Sequence, residues 1–335
     1  MEQRRRRMWQ GLVGACAVSL AVSCVTAHEP LPTPRPAAPS AMSASPSPPP
    51  SRPDVARPVV AAATPVDASP APELPRGGRT IFPDHRLVGF CGTPGAPALG
   101  PLLDHPATKA DKLLGYANQY GSDRTILPVF ELIAVVVQAG GGPDGKNRMR
   151  VLDGTVDEYL QAARQARGLL LLNIQPGHSD FLTEVQRFER YLREPDVGVA
   201  LDPEWAMLPK QPPGQFYGQA TAESINGVIA YLSTVVAEGN LPEKALVYHE
   251  VNDYVVKGEL SIKPQPGVAV IKSVDGLGPK GAKLNTYHFL MRNTAPGVHA
   301  GFKLFFDEDR QHGAFLMSPG EVMALAPRPE YVMYE

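Results

Sequence analysis

The sequence predicts an α/β fold, a (β/α)8 barrel with its last helix missing, preceded by a signal peptide and a disordered Pro/Ala/Ser linker. Three observations carry this reading. Eight short runs of aliphatic and β-branched residues alternate with amphipathic stretches over the last 259 of 335 residues. Acidic and polar residues gather where those runs end, which is where a parallel barrel opens. Finally, 15 of the 36 prolines fall within residues 30–75, among Ala and Ser and without apolar periodicity. Such a tract has nothing with which to build a core. The expected division is therefore residues 1–23 as signal, 24–76 as tether and 77–335 as barrel. A doubly wound open sheet is the competing architecture, but no Gly-x-Gly-x-x-Gly follows a strand, so its dinucleotide fingerprint is missing.

At the start, four consecutive arginines, Arg4–Arg7, precede the apolar stretch Gly11–Val22. Those twelve residues are too few to cross about 30 Å of hydrocarbon as a helix, which takes about 20. An export signal is the expectation. Its ending, Leu20-Ala21-Val22-Ser23-Cys24, resembles the lipobox of bacterial lipoproteins, with Ala21 where that pattern usually carries Leu. The resemblance implies lipidation of Cys24, which would anchor the protein through the membrane on its outer face, the barrel standing off on the Pro-rich tether. Cleavage after Val25-Thr26-Ala27 is the alternative and gives a secreted protein. Cys16 leaves with the signal and Cys24 is consumed by lipidation, so no disulfide partner is expected for Cys91.

The first strand, Arg86–Phe90, ends in the turn Cys91-Gly92-Thr93-Pro94-Gly95. The second, Leu127–Val137, contains Pro128, and its helix is expected to start at the capping box Thr155-Val156-Asp157-Glu158. The third is Leu169–Ile174, followed by a loop in which Asp180 can cap a helix from Phe181 to about Arg193. The fourth, Val197–Leu201, stops at Asp202-Pro203 because Pro203 has no amide hydrogen. The Pro/Gly/Gln-rich loop Ala206–Gln219, which contains Tyr217, has the length of a lid or binding loop. A helix of about Ala222–Glu238 follows it. The remaining strands are Ala245–His249, Val268–Val274, His299–Phe306 and Tyr331–Tyr334. A second capping box, Ser318-Pro319-Gly320-Glu321, opens the helix before the last of them.

Charge narrows the function. Lys and Arg number 32 against 34 Asp and Glu, a net of −2, and removing the first 23 residues makes the balance more acidic. A general nucleic-acid binder needs the opposite sign. The strand ends present Cys91, Glu131, Asn173, Gln175, Asp202, Glu204, His249, Glu250, Asp275 and the run Asp307-Glu308-Asp309. Carboxylates dominate. Asp202 and Glu204 share parity if the chain stays extended through Pro203. Two carboxyls in close reach push each other's pKa apart and leave one protonated as a general acid.

Asp202-x-Glu204 at the end of the fourth strand resembles the Asp-x-Glu ending of chitinase-type and muramidase-type TIM-barrel glycoside hydrolases. The resemblance implies Glu204 as proton donor, Asp202 as the orienting or stabilising carboxylate, and a cell-envelope or environmental glycan as ligand. The chain departs from those patterns at Ala200, where chitinases carry a further Asp, and at Phe90-Cys91-Gly92, where muramidases carry an acid. A second resemblance, to the large clan of retaining glycosidases, pairs Glu204 with a carboxylate after the seventh strand, Asp307 or Asp309; here Pro203 stands where that clan has Asn. Either way Trp205, Glu131, Gln175, His249 and Tyr217 are expected to bind substrate, with no cofactor.

Blander readings stand beside these. Asp202 and Glu204 can cap the following loop; Trp205 can fill a core; His249 can be hydrogen-bonded inside the barrel. A metal site from His178, Asp202, His249 and Asp307 has no short ligand spacing behind it, so no metal is expected. The alternatives in function are a non-catalytic glycan-binding or structural envelope lipoprotein and a metal-dependent hydrolase.

Overall fold

The computed structural model describes residues 70–121 and 123–335. The expected signal, Cys24 and the tether up to residue 69 lie outside the described residues. Eight strands pair in parallel in chain order: β1 (His85–Gly92), β2 (Thr125–Val137), β3 (Leu169–Ile174), β4 (Val197–Leu201), β5 (Lys244–Glu250), β6 (Val268–Val274), β7 (His299–Leu304) and β8 (Tyr331–Tyr334). β8 pairs back onto β1, from Leu87 opposite Tyr331 to Phe90 opposite Tyr334, so the sheet closes and has no barrel edge. This is the expected (β/α)8 TIM barrel. Glu335, the last residue of the sequence, follows β8 directly.

Side-chain alternation splits the core in two. Inward positions such as Leu127, Val129, Leu169, Leu171, Val247 and Ile271 fill the barrel. Outward ones such as Phe130, Leu132, Leu172 and Val199 meet the surrounding helices. Those helices are α1 (Ala110–Ala117), α2 (Asp153–Gln165), α3 (Phe181–Gln186), α4 (Glu189–Leu192), α5 (Ala222–Gly239), α6 (Lys280–Met291) and α7 (Pro319–Met323). Between β5 and β6 only a short 310 turn, Glu259–Ser261, stands in the helix position. Leu74, which the sequence assigns to the tether, packs with Ile81 and Phe82 in the inner core.

Several boundaries differ from expectation for physical reasons. α2 starts at Asp153, and the Thr155 amide donates to the Leu152 carbonyl, so Thr155 lies inside the first turn and cannot be its cap. The expected helix from Phe181 to Arg193 breaks into α3 and α4 where Phe188 leaves helical geometry and is buried. β7 ends at Leu304, two residues before the expected Phe306. The Ser318–Glu321 box forms with both reciprocal bonds, and a box not foreseen, Thr221 with Ser224, opens α5. Also unforeseen are α1, α6, an antiparallel strand Arg148–Arg150 on the end of β2, and the pair Ala220–Thr221 with Val256–Lys257.

Candidate active site

The inward register that carries aliphatic residues low in the barrel carries charge at its C-terminal end. Glu131 on β2, Asn173 on β3, His249 on β5, Ser273 on β6 and Lys303 on β7 are buried there, joined by Gln175, Asp202, Glu204 and Asp275 just past the strand ends. The expected extended run through Pro203 does not occur, because Pro203–Trp205 is a 310 turn in which the Trp205 amide donates to the Asp202 carbonyl. Both carboxyls nevertheless end up buried, Asp202 at 4% and Glu204 at 7% exposure.

Asp202 is held by two amides. Asn173 Nδ2 donates to its Oδ1 at 2.9 Å and to Glu131 Oε1 at 2.9 Å, while Gln175 Nε2 donates to Asp202 Oδ2 at 3.0 Å. Gln175 is itself fixed, its Oε1 accepting the Val137 amide at 3.1 Å. His249 lies between two acids, with Nδ1 2.9 Å from Asp275 Oδ2 and Nε2 3.2 Å from Glu131 Oε1. Ser273 Oγ donates to Asp275 Oδ1 at 2.9 Å, and the Tyr331 hydroxyl donates to Glu131. Lys303 Nζ bridges Asp275 at 3.3 Å and Glu335 at 2.7 Å.

These contacts set the protonation states. Burial pushes the Glu204 carboxyl well above the carboxylate range, and the charges of Asp202 and Asp275 push it further. Burial also raises Asp202, but the His249 and Lys303 charges and the Gln175 bond oppose the rise. Of the two, Glu204 therefore keeps the proton. Burial works against the charged forms of Asp275 and His249 too, yet their mutual attraction outweighs it: Asp275 falls to about 2 and His249 rises well above its usual value. His249 is thus an imidazolium with both nitrogens facing acids. That occupies the lone pair a metal would need.

Glu204 Oε2 is buried and finds no hydrogen-bond partner. Loop 206–219 lies against this residue: the Gly218 amide donates to the Glu204 carbonyl at 2.6 Å, and burial raises the nearby Tyr217 hydroxyl. Tyr217 also sits 6.4 Å, ring to ring, from the half-exposed Tyr254. Trp205 is partly exposed in the turn beside Glu204.

Of the residues expected at the site, Asp202, Glu204, Glu131, Gln175 and His249 come together, with Trp205 and Tyr217 adjacent to Glu204. Glu131 and His249 have 0% exposure, so they act on the neighbouring carboxyls from beneath. Asp307 does not join them; it is exposed on the rim. Asp309 is turned away and buried, with Oδ2 2.9 Å from Lys283 Nζ. His178 is 3.0 Å from Asn147 Oδ1, and Asp180 caps α3 by accepting the Thr183 amide at 2.8 Å. Cys91 is a free buried thiol 3.3 Å from Glu335 Oε2. Among the described residues, no group of three or more His, Cys, Asp or Glu side chains is placed to hold a metal ion.

Sequence reasoning missed Lys303, Tyr331 and Glu335. A lysine inside the apolar run Phe302–Phe306 was the available signal for the first.

Fold and site together define a TIM barrel with a buried, acid-rich mouth in which the Glu204 carboxyl is pushed furthest toward its neutral form. No protein family matches the chain, and no curated protein matches its sequence.

Proposed function

We propose that this barrel is a glycoside-hydrolase-like protein acting on a cell-envelope or environmental glycan, with Glu204 as its general acid. The observation that carries the reading is the Glu204 carboxyl: buried, pushed toward its neutral form by its surroundings, its Oε2 unpartnered, and next to Asp202, whose own rise is opposed by His249 and Lys303. A protonated carboxyl can give its proton to a departing glycosidic oxygen. Asp202, held by Asn173 and Gln175, is the member of the pair that ionises first and in that form offsets positive charge at the anomeric carbon or orients a neighbouring substituent. The second anion felt by Glu204 is Asp275 from the end of β6, which in this reading takes the part first expected of Asp307.

Hydrolysis and binding are to be measured separately on chitin, peptidoglycan and neutral and acidic glucans. Glu204→Gln should remove hydrolysis by a factor of about 10²–10⁴ while leaving binding intact. Absence of both binding and hydrolysis on every glycan defeats the carbohydrate reading. One observation favours the non-catalytic alternative, namely that Glu204 is only 7% exposed beneath loop 206–219. Binding without hydrolysis, indifferent to Glu204→Gln, selects that alternative.

Export and anchoring belong to the same proposal. Cys24→Ala should release the protein from membranes or leave it unprocessed. Failure of labelled palmitate to enter the wild-type chain defeats the lipoprotein assignment.

A further inference from the structure

A cleft of about 450 Å3 opens on the rim between the segment after β1, helix α1 and the segment after β7. Lys109, Lys112, Tyr116, Phe306, Arg310 and Glu335 are among the residues that line it. Two cations from distant parts of the chain converge on one ring there: Lys112 Nζ lies 5.2 Å and Arg310 Cζ 5.6 Å from the Phe306 centroid. The ring itself is fixed by stacking on Tyr334 at 5.4 Å and by an edge contact with Tyr116 at 5.6 Å.

The cations in this cleft are not paired with the carboxylates that share it. Among the described residues, Lys109, Lys112 and Arg310 are at ion-pair distance from no carboxylate, although Asp307, Glu308 and Glu335 share the cleft. Glu335 is already engaged by Lys303 at 2.7 Å. Burial, reinforced by Glu335, Asp307 and Asp309, raises the Glu308 carboxyl toward its neutral form. Two like charges held near the same ring repel each other, and a bound anion relieves that repulsion.

We propose that this cleft is a subsite for a sugar unit bearing a carboxylate or a phosphate, which makes an acidic glycan the ligand class. The inference rests on the glycan reading above. The anionic group of the sugar takes Lys112 and Arg310, the guanidinium offering a two-pronged donor. Glu335, at the cleft wall, is tied through Lys303 to Asp275 among the buried acids.

The test is direct binding to purified protein, by calorimetry or ligand-observed magnetic resonance, with three probes: a uronic acid oligosaccharide, a sugar phosphate, and the neutral oligosaccharide of the same backbone. Either anionic probe should bind more tightly than the neutral one, and added salt should weaken it. Lys112→Gln with Arg310→Gln, both on exposed side chains, should weaken the anionic probe tenfold or more and leave the neutral one unchanged. Which anionic probe responds identifies the group. Equal binding of charged and neutral probes, absence of anionic binding, or anionic binding unmoved by the double substitution overturns the proposal. Charge-selective binding without hydrolysis defeats catalysis at Glu204 and leaves this subsite standing; hydrolysis of neutral glycans without acidic preference does the reverse.

Discussion

Burial does not by itself make a carboxyl an acid catalyst. Glu184 has 0% exposure, but Arg148 Nε and Arg150 Nε reach it at 2.8 and 2.7 Å and supply its counter-charge. Glu204 has no cation in contact and meets two anions, so its environment favours the neutral form. A folded-state pKa raised above the unfolded value means that folding retains a proton above about pH 4.5. Stability present below that pH is then lost as pH rises toward the folded value. Glu204→Gln lacks this loss, so relative to wild type it should gain stability between pH 5 and 8, read by thermal unfolding in parallel buffers. A difference independent of pH would show that Glu204 is ionised in the fold. Asp275 carries the opposite sign. With its pKa depressed to about 2, its contribution is full above about pH 4 and disappears as pH falls toward 2. Asp202→Asn removes a negative neighbour, which should lower the Glu204 pKa and move the alkaline limb of any hydrolytic pH profile to lower pH. An unmoved limb would mean that the two carboxyls do not interact.

At the scale of elements, the loops at the mouth are held by buried polar ties. Lys283 on α6 pairs with Asp309 and also donates to the Gly276 and Lys303 carbonyls, while Asp309 accepts the Gly278 and Phe305 amides. This cluster binds the segment after β6 to the segment after β7, with Lys283 over the Phe302 and Phe305 rings. Lys283→Met leaves Asp309 buried without its cation and should cost about 3–5 kcal/mol in denaturant unfolding; a loss below about 1 kcal/mol would mean that the pair is dispensable. Legibility in the sequence follows the range of the physics. β3, β4, β6 and β8 have the limits the sequence predicts, because β-branched and aliphatic runs bounded by turn residues are local signals. Asp202, Glu204 and Gln175 were legible for the same reason, since each lies within three residues of the end of such a run. Lys303 was missed because aromatic Phe305 and Phe306 extend the apolar run past the true end of β7, which drew attention to Asp307 instead. Glu335 meets Lys303 and Cys91 only because β8 closes the barrel beside β7 and β1, a pairing no local pattern encodes.

The whole barrel is closed at its N-terminal end by the chain that enters it. Leu74 and Ile81, at 3% and 0% exposure, complete the inner core from below. The polar groups between them tie to loops on opposite sides. Arg76 donates to the Ala166 and Arg167 carbonyls after α2, each at 3.2 Å, and Arg79 donates to Leu241 O after α5 at 3.0 Å. The Ile81 amide donates to Glu243 Oε2 at 2.6 Å. A barrel open at both ends would expose its inner aliphatic layers to water, so this segment belongs to the fold even though its composition continues the Pro-rich tract before it. Two truncations separate composition from structure. Removing residues 30–69, which lack apolar periodicity, should leave the denaturant midpoint unchanged. Leu74→Ala, far milder in length, should cost about 2–5 kcal/mol because it opens a cavity that rigid strands cannot close around. If the truncation destabilises as much as the single substitution does, the tract contributes to the barrel; if Leu74→Ala is silent, the plug is not part of the core.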